Sequence, residues 1–205
     1  MIAMTGDGVS RPANGDAAAG TGHSRSASRP LARVALVLGF ALLTWAGARV
    51  SVPLPFTMVP GTLQTLAVLL AGGLLGARAG AASQAAYLLM GVAGLPVFAL
   101  PGTGPAYFLG PTGGYLAGFV AAAYASGWLT TRLRGLGVRG AAISFLAGSA
   151  ALHACGFAWL SVVLGDPAAA WRAGVLPFLL FDLAKVVAAT GIHAGYLRWK
   201  ASRLR

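Results

Sequence analysis

The chain has 205 residues, enough for one domain or one compact bundle, of which 57% are hydrophobic and 9% charged. A soluble domain carries about 25% charged residues, so the composition excludes an ordinary soluble fold. The net charge is +11, but the basic residues sit between apolar runs and at the two ends rather than in one patch. That is the membrane pattern, and it speaks against nucleic acid as a partner.

Residues 1–30 are rich in Gly, Ala, Ser, Arg and Thr with no apolar period, and read as a disordered cytoplasmic tail. The apolar region begins near Leu31 and runs too long for a secretory signal. Residues 31–205 are therefore expected to form the membrane domain. A helix needs about 20 apolar residues to cross the hydrocarbon core, and six candidates follow. The first runs from Leu31 to Arg49 and stops before Pro53 and Pro55, whose spacing breaks a helix. The second, Leu63 to Leu75, is short. A tight turn at Gly76-Ala77-Arg78 leads to the third, Gly80 to Phe98. The fourth is Tyr115 to Leu129, the fifth Ala141 to Leu164 and the sixth Val175 to Leu197. No internal repeat is visible.

Charge placement orients these spans. With the N-terminus inside, the cytoplasmic segments hold Arg11, Arg25, Arg29, Arg33, Arg78, Arg132, Arg134, Arg139, Arg198, Lys200, Arg203 and Arg205, twelve against only Arg49 and Arg172 outside. The positive-inside rule is met with an even number of spans and both termini cytoplasmic. Trp45, Trp128, Trp171 and Trp199 fall near span ends, where interfacial tryptophans belong. The fold expected is an all-α membrane protein with six transmembrane helices. Its outer segments 50–62 and 99–114 are apolar and rich in Gly and Pro, and such backbone near membrane depth is tolerated where it lines a cavity. They read as a lid on the outer side.

Only two acidic residues lie beyond the tail, Asp166 and Asp182. Asp166, in Gly165-Asp166-Pro167, suits a turn or a helix cap. Asp182 lies inside an apolar helix, where a charge at the bilayer centre costs at least about 2.5–3.5 kcal/mol. Lys185 is three residues on, on the same helix face. A structural ion pair and a ligand site both fit; the polar spot in an apolar bundle favours the ligand site. His153 and His193 each stand alone in their spans and read as core histidines. Thr62 and Gln64 suit either a cavity face or a helix cap. Ser83, Gln84, Thr130, Thr131 and Ser149 suit bonds across helices, and Cys155, alone, reads as a small core residue. No Gly-x-Ser-x-Gly, His-Glu-x-x-His or phosphate-binding loop is present, so no enzyme, metal site or cofactor is expected.

Four ordered blocks resemble the BioY family of biotin transporters. They are Val59-Pro60-Gly61-Thr62-Leu63-Gln64-Thr65 with Leu69-Leu70-Ala71-Gly72, then Tyr87-Leu88-Leu89-Met90-Gly91 with Gly94-Leu95-Pro96-Val97-Phe98. The block Leu109-Gly110-Pro111-Thr112-Gly113-Gly114-Tyr115-Leu116-Ala117-Gly118-Phe119 follows, and last Asp182-Leu183-Ala184-Lys185. The resemblance covers roughly residues 31–197. It implies the substrate-binding component of an energy-coupling factor (ECF) transporter in the cytoplasmic membrane of a prokaryote. Its partners would be a transmembrane coupling subunit and a pair of ATPases; a homo-oligomer is compatible with the sequence. Ala35 and Gly39, four apart on the first span, match the small-residue face that the family uses to dock the coupling subunit. The alternative is a stand-alone secondary transporter or channel for another small vitamin-like solute, but no span carries a continuous polar stripe.

With biotin as ligand, Asp182 would accept from the ureido N–H groups and Lys185 would donate to the ureido carbonyl. Tyr107 and Tyr115 would flank the apolar body, with Thr62 and Gln64 as further contacts. Arg49, or the backbone of Gly113 and Gly114, would take the carboxylate.

Overall fold

The computed structural model describes residues 24–203 apart from Phe56. The chain is helical throughout its spans: α1 (Ser24–Arg49), α2 (Gln64–Leu75), α3 (Ala77–Val92), α4 (Gly113–Arg132), α5 (Gly137–Leu164), α6 (Pro167–Gly174) and α7 (Leu179–Ser202). Six of these are the expected helices, and α6 is an additional short one. Three helical stretches, 30–49, 134–164 and 167–202, are long and apolar enough to cross a membrane. Exposed Leu, Val and Trp side chains cover α1, α5 and α7, as a lipid-facing surface requires.

α2 has only 12 residues and is the central helix. It packs against α1, α3, α4, α5 and α7, and Val68, Leu69 and Ala71 are fully buried. Lipid tails are as apolar as leucine, so helices associate in a membrane through close packing of small residues. The sequence supplies them. A Cβ added at Gly72 would approach the Ser126 Cβ to 2.9 Å, and one at Gly148 the Leu69 Cδ2 to the same distance. α2 therefore meets α4 at backbone contact distance, and Gly148 of α5 makes room for the Leu69 side chain of α2.

The element boundaries depart from the sequence reading in four places. α1 begins at Ser24 and runs through Pro30, into residues assigned to the tail; residues 1–23 lie outside the described set. α3 ends at Val92 instead of Phe98, because Gly94 adopts φ 94° and the chain turns back, with Gly94 N–H donating to the Gly91 carbonyl. Segment 50–62 is a small hairpin, pairing Ser51 with Thr62 and Val52 with Gly61. The last helix starts at Leu179 instead of Val175: the additional α6 before it is capped by Asp166, whose Oδ1 accepts from Ala168 N–H at 2.8 Å, and a 3-10 turn at Leu176–Phe178 leads into α7.

The helices alternate in direction, so Arg78, Arg132, Arg134, Arg139, Arg198, Lys200 and Arg203 gather at one end of the bundle and Arg49 and Arg172 at the other. The guanidinium groups of Arg132 and Arg203 lie 4.9 Å over the rings of Trp128 and Trp199. At the opposite end, Arg49 lies 5.5 Å over Trp45.

Candidate functional site

A cavity opens at the end opposite the basic residues, roofed by the hairpin and by the long loop between α3 and α4. It has a volume of about 550 Å3, counting the open space at its mouth. The hairpin contributes Val59, Pro60 and Thr62, and the loop Ala99, Tyr107 and Thr112. The walls come from Gln64 and Thr65 of α2, Tyr115, Leu116 and Phe119 of α4, and Leu152 of α5. Phe178 closes one side. The polar end is made by His153 of α5 with Asp182 and Lys185 of α7.

The Asp182 carboxylate is held from two sides. Lys185 Nζ donates to Oδ1 at 2.7 Å, within one helix face. His153 Nε2 lies 2.5 Å from Oδ2, from a different helix. Because α7 starts only at Leu179, Asp182 stands in its first turn and not deep in a span as the sequence suggested. The helix N-terminus favours a carboxylate there. A carboxylate offers about four lone-pair positions, so two partners leave acceptor capacity facing the cavity. His153 Nδ1 has no partner.

The aromatic walls are fixed by hydrogen bonds that point away from the cavity. Tyr115 Oη donates to the Gly174 carbonyl at 2.7 Å, and its ring packs where a Cβ at Gly156 would stand. Gln64, 3% exposed, donates from Nε2 to Tyr87 Oη at 2.6 Å, and Tyr87 Oη donates on to the Val97 carbonyl at 3.0 Å. Thr62 Oγ1 lies 3.2 Å from Gln64 Oε1. In the roof, Phe98 stacks on Tyr107 at 4.3 Å and meets Phe108 edge-on at 5.8 Å. Phe98 also fills the space beside Gly91, which a Cβ would occupy. The loop is thus pinned to α3 by an aromatic cluster.

Of the residues expected at a ligand site, Asp182, Lys185, Tyr107, Tyr115, Thr62 and Gln64 all line this one cavity. Gly113 and Gly114 do not. Gly114 meets the Cys155 carbonyl and the Trp159 side chain, so its missing side chain serves the packing of α4 on α5. Arg49 is exposed outside the cavity, and its guanidinium donates to the Pro96 carbonyl of the roof loop. His153, expected as an ordinary core histidine, is part of the polar end. Its partner is 29 residues away, so no local pattern announces it. Thr130 and Thr131 donate to carbonyls of their own helix rather than across helices. Among the described residues no group of three or more His, Cys, Asp or Glu side chains is placed to hold a metal ion.

Residues 21–202 match the family model described as the BioY family. The chain is 39% identical over 150 residues to a "Biotin transporter BioY" of Thermotoga maritima, covering 73% of this chain and 86% of that one. It is 38% identical over 156 residues to a "Probable biotin transporter BioY" of Pyrococcus horikoshii, covering 76% and 90%. Its fold is similar to the crystal structure of the S-component for biotin from an ECF-type ABC transporter. The TM-score is 0.77 at 25% identity, over 83% of this chain and 93% of that one.

Proposed function

The chain belongs to the BioY family, and on that premise we propose that it binds biotin and takes it up as the substrate-specific component of an ECF-type transporter. The observation that carries this reading is the cavity: an apolar, aromatic chamber with one polar end made by Asp182, Lys185 and His153. Biotin has the matching polarity. Its bicyclic body and valeryl chain are apolar, and its neutral ureido group offers two N–H donors and one carbonyl acceptor. Asp182 accepts from the N–H groups through its remaining lone pairs, and Lys185 donates to the carbonyl. Asp182 and Lys185 are opposite in charge, which suits a ligand group that is polar but uncharged.

Tyr107 and Tyr115 flank the bicyclic body, while Thr62 and Gln64 shape the wall beneath the hairpin. The valeryl chain points to the mouth, where Arg49 takes its carboxylate by exchanging the Pro96 carbonyl for the ligand. The backbone of Gly113 and Gly114 is not assigned this role, because neither residue lines the cavity and Gly113 N–H donates to the Gly110 carbonyl at 3.1 Å.

In this reading the basic end faces the cytoplasm of a prokaryote, in keeping with the positive-inside rule, and the roofed cavity faces outward. With no phosphate-binding loop in the sequence, the energy comes from an ATPase pair through a transmembrane coupling subunit. Ala35 and Gly39 support this assembly: both are exposed on α1, and a Cβ at Gly39 would meet nothing within 4 Å. A small-residue stripe open to the membrane is free to receive another helix. The test is a calorimetric titration of the purified protein with biotin, with thiamine and riboflavin as controls. Saturable binding of biotin alone is expected. No heat with biotin, or an equal response to either control, returns the ligand to unknown.

A further inference from the structure

The roof of the cavity is built from two segments that are distant in the chain, the hairpin at residues 50–62 and the loop between α3 and α4 at residues 93–112. Among the described residues no backbone hydrogen bond runs directly from one to the other. A chain of side chains joins them instead. On the hairpin, Thr62 Oγ1 donates to Gln64 Oε1 at 3.2 Å. Gln64 Nε2 donates to Tyr87 Oη at 2.6 Å, and Tyr87 Oη donates to the carbonyl of Val97, in the loop, at 3.0 Å. The path thus runs from the hairpin through α2 and α3 to the loop.

The order of donors along this path is forced. A carbonyl can only accept, so the one hydroxyl proton of Tyr87 goes to Val97. The Tyr87 oxygen must then accept, which turns the Gln64 amide nitrogen toward it and leaves Oε1 for Thr62. Gln64 and Tyr87 are both buried. In such low-dielectric surroundings linked hydrogen bonds strengthen one another, and a broken link leaves a costly unpaired group. The loop is gripped where the path reaches it: Arg49 of α1 donates to the Pro96 carbonyl, Tyr87 to that of Val97, and the Phe98 ring meets Tyr87 edge-on at 5.9 Å. Gln64 lines the cavity and Tyr87 does not. Beyond its side-chain bonds to Thr62 and Tyr87, the Gln64 amide keeps one N–H and one lone pair, so a ligand can engage it without parting the chain.

We propose that Tyr87 is a positioning residue for ligand retention: its hydroxyl, acting through Gln64, ties the hairpin and the loop into one unit that opens and closes together. A ligand held against Gln64 then keeps both segments closed at once. The role in retention rests on the cavity being the biotin site, whereas the coupling of the two segments does not depend on what the cavity binds.

Hydrogen exchange of the full chain in detergent, read by mass spectrometry without ligand, tests the coupling. Tyr87→Phe keeps the ring and its packing and removes only the hydroxyl. Exchange should quicken about two- to tenfold, as the loss of one hydrogen bond implies, in residues 50–62 and 93–112 alike. Thr62→Val cuts the path at its hairpin end and should quicken the loop as well, although Thr62 belongs to the other segment. Because the links are in series, the double variant should exchange no faster than the faster single one. Phe145→Leu, in a separate apolar cluster with Leu69 and Val186, lowers stability without touching the path and should leave both segments as in the wild type. Circular dichroism checks that each variant folds, and Thr62→Val carries the test should Tyr87→Phe not fold. Changes confined to the hairpin in Thr62→Val, or additive effects in the double variant, overturn the coupling. Equal quickening in Phe145→Leu overturns it in favour of plain destabilisation. With biotin, Tyr87→Phe should release the ligand about two- to tenfold faster in a stopped-flow chase, with association unchanged; wild-type release overturns the retention role. The exchange measurement needs no ligand, so a wild type that binds no biotin overturns the proposed function and leaves exchange to decide the coupling.

Discussion

His153 Nε2 lies 2.5 Å from Asp182 Oδ2 and joins α5 to α7 at the polar end of the cavity. Both residues are buried, so this contact is at once a helix clamp and a support for the ligand-binding carboxylate. His153→Ala removes one of two partners from a buried carboxylate. Leaving such a group short of a partner costs about 1–3 kcal/mol. The midpoint of thermal unfolding in detergent should fall, and biotin affinity with it. His153→Gln, which keeps a donor at similar reach, should recover part of both. Unchanged unfolding of the alanine variant would show that the contact contributes nothing to holding α5 on α7.

Asp182→Asn keeps the shape of the side chain and removes its charge. One acceptor oxygen becomes an N–H donor, which meets Lys185 or the ureido N–H groups donor to donor. A hydrogen bond to a charged group contributes about 1.5–3 kcal/mol, so biotin should bind about ten- to a hundredfold more weakly by calorimetry. Wild-type affinity in a folded Asn variant would mean that the Asp182 carboxylate serves Lys185 and His153 and not the ligand.

Gly156 and Tyr115 are matched in shape, because the Tyr115 ring fills the space a Cβ at position 156 would take. Gly156→Ala forces the ring aside and pulls its hydroxyl from the Gly174 carbonyl, 2.7 Å away. Overpacking of this kind costs about 1–3 kcal/mol. Lower thermal stability and weaker biotin binding are expected together, since Tyr115 is also a cavity wall. A stable variant with normal binding would show that the ring has another place to go.

The sequence reading recovered features carried by composition and failed where geometry between distant residues decides. Six apolar runs are visible because each span is chemically uniform. The end of α3 was misplaced because Ala93-Gly94-Leu95-Pro96-Val97-Phe98 is as apolar as a helix. The signal was Gly94 followed by Pro96, and the structure turns at that glycine. α6 escaped notice because eight residues cannot span a membrane and Pro167 reads as a loop. Asp182 and Lys185 were legible because their contact is local, at i and i+3. His153 was not, because only the packing of α5 on α7 makes it their neighbour. Gly113 and Gly114 were read for their N–H groups, whereas Gly114 lets α4 approach Trp159 and the Cys155 carbonyl.

Phe98 tests the roof. Its ring stacks on Tyr107 and lies against Phe108, Tyr87 and Gly91, so it ties the loop to α3 without lining the cavity itself. Truncating a well-packed aromatic costs about 3–5 kcal/mol, and here the loss falls on the closed position of the loop. Phe98→Ala should speed biotin release, measured by stopped-flow chase, more than it slows association. A change confined to the association rate would argue that the loop guides entry instead of holding the ligand in.

Arg49 separates two readings of the mouth. Its guanidinium, in the last turn of α1, donates to the Pro96 carbonyl in the roof loop, so it either anchors the loop or stands ready for the ligand carboxylate. Both functions predict weaker binding for Arg49→Gln, and the ligand distinguishes them. If the arginine meets the carboxylate, biotin loses affinity while biotin amide, which has no charge to pair, binds both proteins alike. The expected loss is modest, about three- to tenfold, because the residue is exposed and solvent screens the pair. Equal losses for biotin and its amide would assign Arg49 to the loop alone and leave the carboxylate to solvent at the cavity mouth.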